Sequence, residues 1–215
     1  MPIDYSLYLV ADAEFASGRD LVPLIEAAVR GGVTVVQLRA KGYPYSDFLD
    51  LGRRTAAVLR KRRIPLLIND RVDVAMSCRA AGVHLGQDDM PLAFVRRVLA
   101  KGTVIGISVN TPEEAMEAER RGADYVGAGP VYPTATKMTD LPVLGPEGIR
   151  RIKAGLRIPL VAIGGITEEN VRAVREAGAD GIAVASAILG GPDPQKAARG
   201  LKKIIGSISP SWREL

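Results

Sequence analysis

Four copies of one phrase decide the fold: Arg30-Gly31-Gly32-Val33-Thr34-Val35-Val36, Ala80-Ala81-Gly82-Val83-His84-Leu85, Arg121-Gly122-Ala123-Asp124-Tyr125-Val126 and Ala177-Gly178-Ala179-Asp180-Gly181-Ile182-Ala183. In each, a helical pattern runs into glycine, then a small residue, then a short apolar run. Glycine supplies the left-handed conformation that closes a helix. The run after it is too short for a helix and too continuous for a strand with one wet face. Strands covered on both faces belong to parallel sheets layered with helices.

Working outward, eight such runs are found: Leu7–Ala11, Thr34–Leu38, Pro65–Ile68, Val83–Leu85, Val104–Ile107, Tyr125–Val126, Leu160–Ile163 and Ile182–Val184. Amphipathic stretches separate them, among them Leu21–Arg30, Asp47–Arg62, Leu92–Ala100, Pro112–Arg121, Gly148–Ala154 and Glu168–Ala177. Helix starts are signalled at Thr111-Pro112-Glu113-Glu114 and at Thr167-Glu168-Glu169-Asn170, where a capping residue precedes first-turn acids. Eight alternating units predict an α/β fold, a single (β/α)8 barrel over residues 1–206, with 207–215 as a tail. An open doubly wound sheet is the alternative, disfavoured by the strand count and the tight repeat.

The chain has 215 residues, 47% of them apolar and 25% charged, so general disorder is excluded. No apolar run is long enough to cross a bilayer, and the first residues carry no basic segment leading into an apolar one. The single cysteine, Cys78, forms no internal disulfide and fits a reducing cytoplasm. The net charge of +5 raises the question of nucleic acid, but the basic residues sit inside helical patterns and aromatics are only 5%. A small anionic substrate needs fewer assumptions, and neither nucleic acid nor membrane is expected as a partner. The oligomeric state is not legible.

Barrel chemistry sits at the carboxyl ends of the strands. Strand 2 ends in Gln37-Leu38-Arg39-Ala40-Lys41, and alternation puts Gln37, Arg39 and Lys41 on one face, an arrangement suited to a polyanion. Asn69-Asp70 ends strand 3; Asp70 reads either as a metal ligand or as a helix cap. After strand 4 comes Gly86-Gln87-Asp88-Asp89, where Asp89 would share a rim with Asp70. Two carboxylates with substrate phosphate oxygens are a usual way to hold Mg2+. Capping by Asp88 or Asp89 is the alternative.

Ser108 ends strand 5. The connection from about Gly129 to Gly145, carrying Thr134-Ala135-Thr136-Lys137, is long enough to serve as a lid. Gly164-Gly165 after strand 7 and Ala185-Ser186 after strand 8 are small enough for backbone N–H groups to approach a phosphate. His84, the only histidine, falls within an apolar strand and reads as a buried, hydrogen-bonded side chain rather than a base. Cys78 reads as packing, and Trp212 as docking of the tail.

These segments together resemble the thiamine phosphate synthase family, also called thiamine-phosphate pyrophosphorylase, from Leu7 to about Pro194. The resemblance is carried by Val36-Gln37-Leu38-Arg39-Ala40-Lys41, Ile68-Asn69-Asp70-Arg71-Val72-Asp73, Gly82 to Pro91, Gly106-Ile107-Ser108, Gly129 to Lys137, Val161 to Ile166 and Ala183 to Ile188, in this order and spacing. It implies a transferase of thiamine biosynthesis that joins hydroxymethylpyrimidine diphosphate to thiazole phosphate and releases pyrophosphate. It implies Mg2+ at Asp70 and Asp89. It places the pyrimidine diphosphate on Gln37, Leu38, Arg39, Ala40, Lys41, Asn69, Ser108 and Lys137, with Arg39, Lys41, Ser108 and Lys137 acting in catalysis. It places the thiazole phosphate on Thr134, Ala135, Thr136, Gly165, Ala185 and Ser186.

Two positions depart from the family pattern, Ala40 where glutamate is usual and Ala185 where valine is usual. Alternation turns Ala40 away from Arg39, so little effect on chemistry is expected. A thiazole tautomerase on the same scaffold has no pyrophosphate to expel and should lack the strand 2 cations and the paired aspartates. A non-catalytic phosphate sensor should not need the full set of charged rim residues.

Overall fold

The computed structural model describes residues 3–16, 18–134 and 141–208. Eight parallel strands close into a barrel in chain order: β1 Leu7–Asp12, β2 Val35–Arg39, β3 Leu66–Asn69, β4 Gly82–Leu85, β5 Val104–Val109, β6 Tyr125–Ala128, β7 Leu160–Ile163 and β8 Gly181–Val184. The last strand pairs with the first, Leu7 opposite Ile182. The helices between them are α1 Leu21–Gly31, α2 Tyr45–Lys61, α3 Val72–Cys78, α4 Leu92–Val98, α5 Pro112–Arg120, α6 Gly145–Ala154 and α7 Val171–Glu176. After β8 come a short α8, Ser186–Leu189, and α9, Pro194–Gly206. No helix among the described residues is long and apolar enough to cross a membrane.

Two apolar layers follow from the period of two along each strand. Leu7, Leu9 and Ala11 of β1, Val36 and Leu38 of β2, and Leu66 and Ile68 of β3 point outward into the core beneath the helices. The alternate residues Tyr8, Val10, Val35, Leu67, Tyr125, Val161 and Ala183 form a separate cluster inside the barrel. A side chain such as Leu38 or Ile68, withdrawn wholly from water, contributes about 2 kcal/mol.

The repeated phrase has a structural reason beyond closing helices. Thr34 in the first copy accepts the Leu7 N–H through Oγ1 at 3.1 Å. Asp124 in the third accepts the Ile105 N–H at 2.7 Å, and Asp180 in the fourth accepts the Leu160 N–H at 2.8 Å. Each polar side chain thus ties the start of the preceding strand to the barrel floor, contributing about 1 kcal/mol per bond. The second copy works differently. Arg79, not Gly82, takes the left-handed turn that ends α3, at φ 53°. Gly82 is already in β4, and a Cβ there would meet the Val104 carbonyl oxygen at 2.2 Å.

The helix start expected at Thr111 is seen in full: Thr111 accepts from the Glu114 N–H, and the Glu114 carboxylate accepts from the Thr111 N–H. The start expected at Thr167 is displaced. Asn170 turns its side chain back, with Oδ1 accepting the Thr167 N–H at 2.8 Å, and α7 begins only at Val171. The local Asx-type bond competes with helix and wins over the next three residues.

Candidate active site

At the carboxyl ends of the strands the barrel opens into a cavity of about 780 Å3. It is lined by Gln37, Arg39, Lys41, Asn69, Asp70, Asp89, Ser108, Thr134, Gly165, Ala185 and Ser186, so these expected site residues share one space. Leu38 and Ala40 stand apart: both side chains are buried in the layer under the helices. Alternation along β2 forces this, since their neighbours Gln37 and Arg39 face inward. Ala135, Thr136, Lys137 and Trp212 lie outside the described residues.

Arg39 is held by a partner that the sequence reading missed. Asp12, its register neighbour on β1, is completely buried and forms an ion pair with the guanidinium. Asp12 also accepts the Glu14 N–H at 3.1 Å. The signal was available: Asp12 directly follows the apolar run of β1, as Asp70 follows that of β3. Buried pairing fixes where the Arg39 fork sits, and removal of Asp12 would leave it without that anchor.

Asp70 is not a helix cap. Helix α3 has Arg71 at its cap position with no side-chain bond, and Asp70 itself adopts φ +60°, uncommon for a residue with a Cβ. Asp89 does not cap α4 either. Its Oδ2 accepts the Gly86 N–H at 2.6 Å, closing the turn after β4. The two carboxylates meet across the rim. Partial burial and the neighbouring Asp89 push the Asp70 carboxyl up to about 6, while Lys41 pulls the other way.

These residues fit a magnesium ion. Two hard carboxylate donors with room for phosphate oxygens match its habit, and no third acid, histidine or cysteine joins them among the described residues. Charge balance points the same way. The described lining has two cations, Arg39 and Lys41, against the carboxylates of Asp12, Asp70, Asp88, Asp89 and Glu114. A polyanion entering that surround needs added positive charge.

The opposite side of the mouth is nearly bare of charge. Gly164 and Gly165 both have positive φ, 100° and 64°. A Cβ on Gly164 would meet Pro130, and one on Gly165 the Pro133 carbonyl oxygen at 2.6 Å. The glycine pair thus has a packing reason, letting the β6 connection lie against β7, besides leaving its backbone near the cavity. Ala185 and Ser186 open α8. Asn110 bridges the two sides of the β6 connection, its Nδ2 donating to Gly129 O at 3.0 Å and Pro142 O at 3.2 Å.

Below the mouth runs a line of polar side chains that sequence reading did not assemble. Gln37 Nε2 donates to the Tyr8 hydroxyl at 2.7 Å, and the Tyr8 and Tyr125 hydroxyls are 2.9 Å apart. Tyr125 meets His84 Nδ1 at 2.8 Å, and His84 Nε2 meets Ser108 Oγ at 2.9 Å. His84 is buried and hydrogen-bonded as expected, and it also lines the cavity.

A closed parallel barrel whose mouth joins anchored cations, paired carboxylates and a bare glycine side belongs to the (β/α)8 enzymes that handle phosphorylated small molecules. The family model described as thiamine monophosphate synthase matches residues 7–188. The chain belongs to this family and is an enzyme, a transferase. It is 47% identical to a thiamine-phosphate synthase of Syntrophomonas wolfei over 201 residues, 94% of this chain and 96% of that one. Against the one from Clostridium novyi it is 47% identical over 204 residues, covering 95% and 100%. The solved thiamine phosphate pyrophosphorylase from Pyrococcus furiosus superposes with a TM-score of 0.88 at 40% identity, covering 95% and 96%.

Proposed function

We propose that this chain is a Mg2+-dependent thiamine phosphate synthase. It transfers the 4-amino-2-methyl-5-pyrimidinylmethyl group from its diphosphate to the nitrogen of thiazole phosphate, giving thiamine phosphate and pyrophosphate. The reading is carried by one observation: Arg39, Lys41, Asp70 and Asp89 line the same cavity as Gly165, Ala185 and Ser186. One side suits a diphosphate with its metal, the other a phosphate monoester held by backbone.

In the reaction the methylene C–O bond breaks and its electron pair leaves on the diphosphate oxygen. The electron-rich aminopyrimidine ring stabilises the carbon left behind, and the thiazole nitrogen lone pair then forms the new C–N bond. No proton moves, so no general base is required at the nucleophile. The work is to stabilise charge growing on the departing diphosphate. Arg39, fixed by Asp12, and Lys41 bind its oxygens. Asp70 and Asp89 would hold the magnesium ion, which supplies Lewis-acid stabilisation when bound. Asn69 and Ser108 orient the same substrate, while Thr134, Gly165, Ala185 and Ser186 hold the thiazole phosphate. The retained cations and paired aspartates favour this reading over a tautomerase, which has no anion to expel.

The test is to mix both substrates with the purified protein and MgCl2. Thiamine phosphate and pyrophosphate should appear in equal amounts, and excess chelator should stop both. Absence of thiamine phosphate with both substrates and metal present would refute the assignment.

A further inference from the structure

The line of side chains beneath the mouth joins five residues from five different strands or strand ends. Gln37, Tyr8, Tyr125 and His84 are all buried. The barrel gives up side chains to admit them. Gly106 lies opposite both His84 on β4 and Tyr125 on β6, and a Cβ there would fall 2.1 Å from the Tyr125 ring. Gly127 lies opposite Ser108, and a Cβ there would fall 2.8 Å from His84 Cε1. Two glycines therefore clear the space in which a histidine on β4 and a tyrosine on β6 reach each other over β5. Two tyrosines and the only histidine of the chain are committed to this line.

Its polarity follows from its first member. The Gln37 amide donates to the Tyr8 oxygen, so the Tyr8 proton goes to Tyr125, its other partner. The Tyr125 oxygen accepts that proton and sends its own to His84 Nδ1. Burial pushes both tyrosine hydroxyls well above their ordinary range, so both keep their protons. With Nδ1 accepting, the neutral imidazole carries its proton on Nε2 and donates to Ser108 Oγ. The serine oxygen is then satisfied as an acceptor, and its own proton is free for the cavity. The reverse polarity would spend the Ser108 proton on His84 and turn lone pairs toward an anionic substrate.

We propose that Gln37, Tyr8, Tyr125 and His84 form a hydrogen-bond chain of one direction that fixes His84 as the Nε2-protonated neutral tautomer, and so presents the Ser108 hydroxyl as a donor to the diphosphate. Tyr8, Tyr125 and His84 are positioning residues, acting through Ser108. That the donor serves a diphosphate rests on the proposed function; the tautomer does not.

Because the chain holds one histidine, protein without a histidine tag and labelled with 15N-histidine gives a single imidazole pattern. At pH 7.5 the spectrum should show a proton-bearing Nε2 and a pyridine-like Nδ1. A proton on Nδ1, or on both nitrogens, overturns the proposal whether or not the protein makes thiamine phosphate. Tyr125→Phe keeps the ring and removes the link, and should shift the imidazole toward mixed tautomers. It should also lower kcat about tenfold, part of the 10²–10³-fold worth of a transition-state donor. Ser108→Ala added to Tyr125→Phe should cost much less than it does alone, because the two act as one unit. Full additivity, or an unchanged imidazole spectrum in Tyr125→Phe, would reduce the line to packing. Failure of the wild type to form thiamine phosphate would remove the substrate assignment and leave the tautomer result standing.

Discussion

The two sides of the barrel mouth solve different problems. From β2 to β4 the rim is built of side-chain charge: Arg39 pinned by Asp12, Lys41, and the facing carboxylates of Asp70 and Asp89. From β7 to β8 it is built of backbone, with Gly164, Gly165 and the small pair Ala185-Ser186. A diphosphate that departs gains charge during the reaction, and only groups that respond to that gain lower the barrier. A phosphate that merely anchors its substrate keeps its charge throughout, so fixed N–H groups suffice. Substitutions on the first side should strike turnover, and those on the second should strike binding and folding.

The largest effect is expected from Asp70→Ala and Asp89→Ala. Each should lower kcat/KM by roughly 1000-fold, the scale for losing several kcal/mol of Lewis-acid stabilisation, with kcat carrying most of the loss. Steady-state assays at saturating MgCl2 decide it. A loss confined to the KM of the thiazole phosphate would erase the division between the sides.

Next is Gly165→Ala. Its backbone lies at φ +64°, and the new methyl would meet Pro133 O. Stability should fall by about 1–3 kcal/mol in urea unfolding. The KM for thiazole phosphate should rise while that for the pyrimidine diphosphate holds. Wild-type stability would mean the β6 connection does not pack as described.

A smaller effect separates charge from catalysis. The Asp70 carboxyl is raised to about 6 from an unfolded value near 3.8. A raised acid favours folding in its protonated form, so its contribution is full below pH about 4 and is lost as pH rises through 6. In chelator, Asp70→Asn should therefore melt a few degrees above wild type at pH 7.5 and level with it at pH 4. Equal melting at both values would show that neither burial nor the neighbouring Asp89 burdens the ionised Asp70 carboxylate.

The smallest effect on turnover is expected from Ala40→Glu. The sequence expectation of little chemical consequence stands on alternation, but Ala40 is packed under the helices. A glutamate there should lower stability modestly, through burial of its charge, and leave kcat within about twofold. A large change in kcat, seen in the pyrophosphate-release assay, would place this side chain in the site after all.

Much of this division was legible in the sequence because it follows local rules. Apolar runs located all eight strands to within about two residues, and β7 was bounded as observed. Strands β5 and β6 run further than expected because Ser108 and Gly127 face the interior and break the apolar run before Val109 and Ala128, which return to the layer under the helices. Period-two alternation put Gln37, Arg39 and Lys41 on one face but was not carried to Tyr8, Val10 and Asp12. The line from Gln37 to Ser108 was illegible for a different reason. Tyr8 and Tyr125 are 117 residues apart and meet only because strands on opposite sides of a small barrel converge. The glycines that admit them, Gly106 and Gly127, look like ordinary strand interruptions until the rings beside them are seen.

Binding of inorganic pyrophosphate, followed by titration calorimetry with and without MgCl2, bears most directly on the charged side. The wild type should bind it tightly only with the metal, and Asp70→Asn and Asp89→Asn should lose that metal dependence while keeping weak binding through Arg39 and Lys41. Equal affinity with and without magnesium, or unchanged metal-dependent affinity in both variants, would contradict the account.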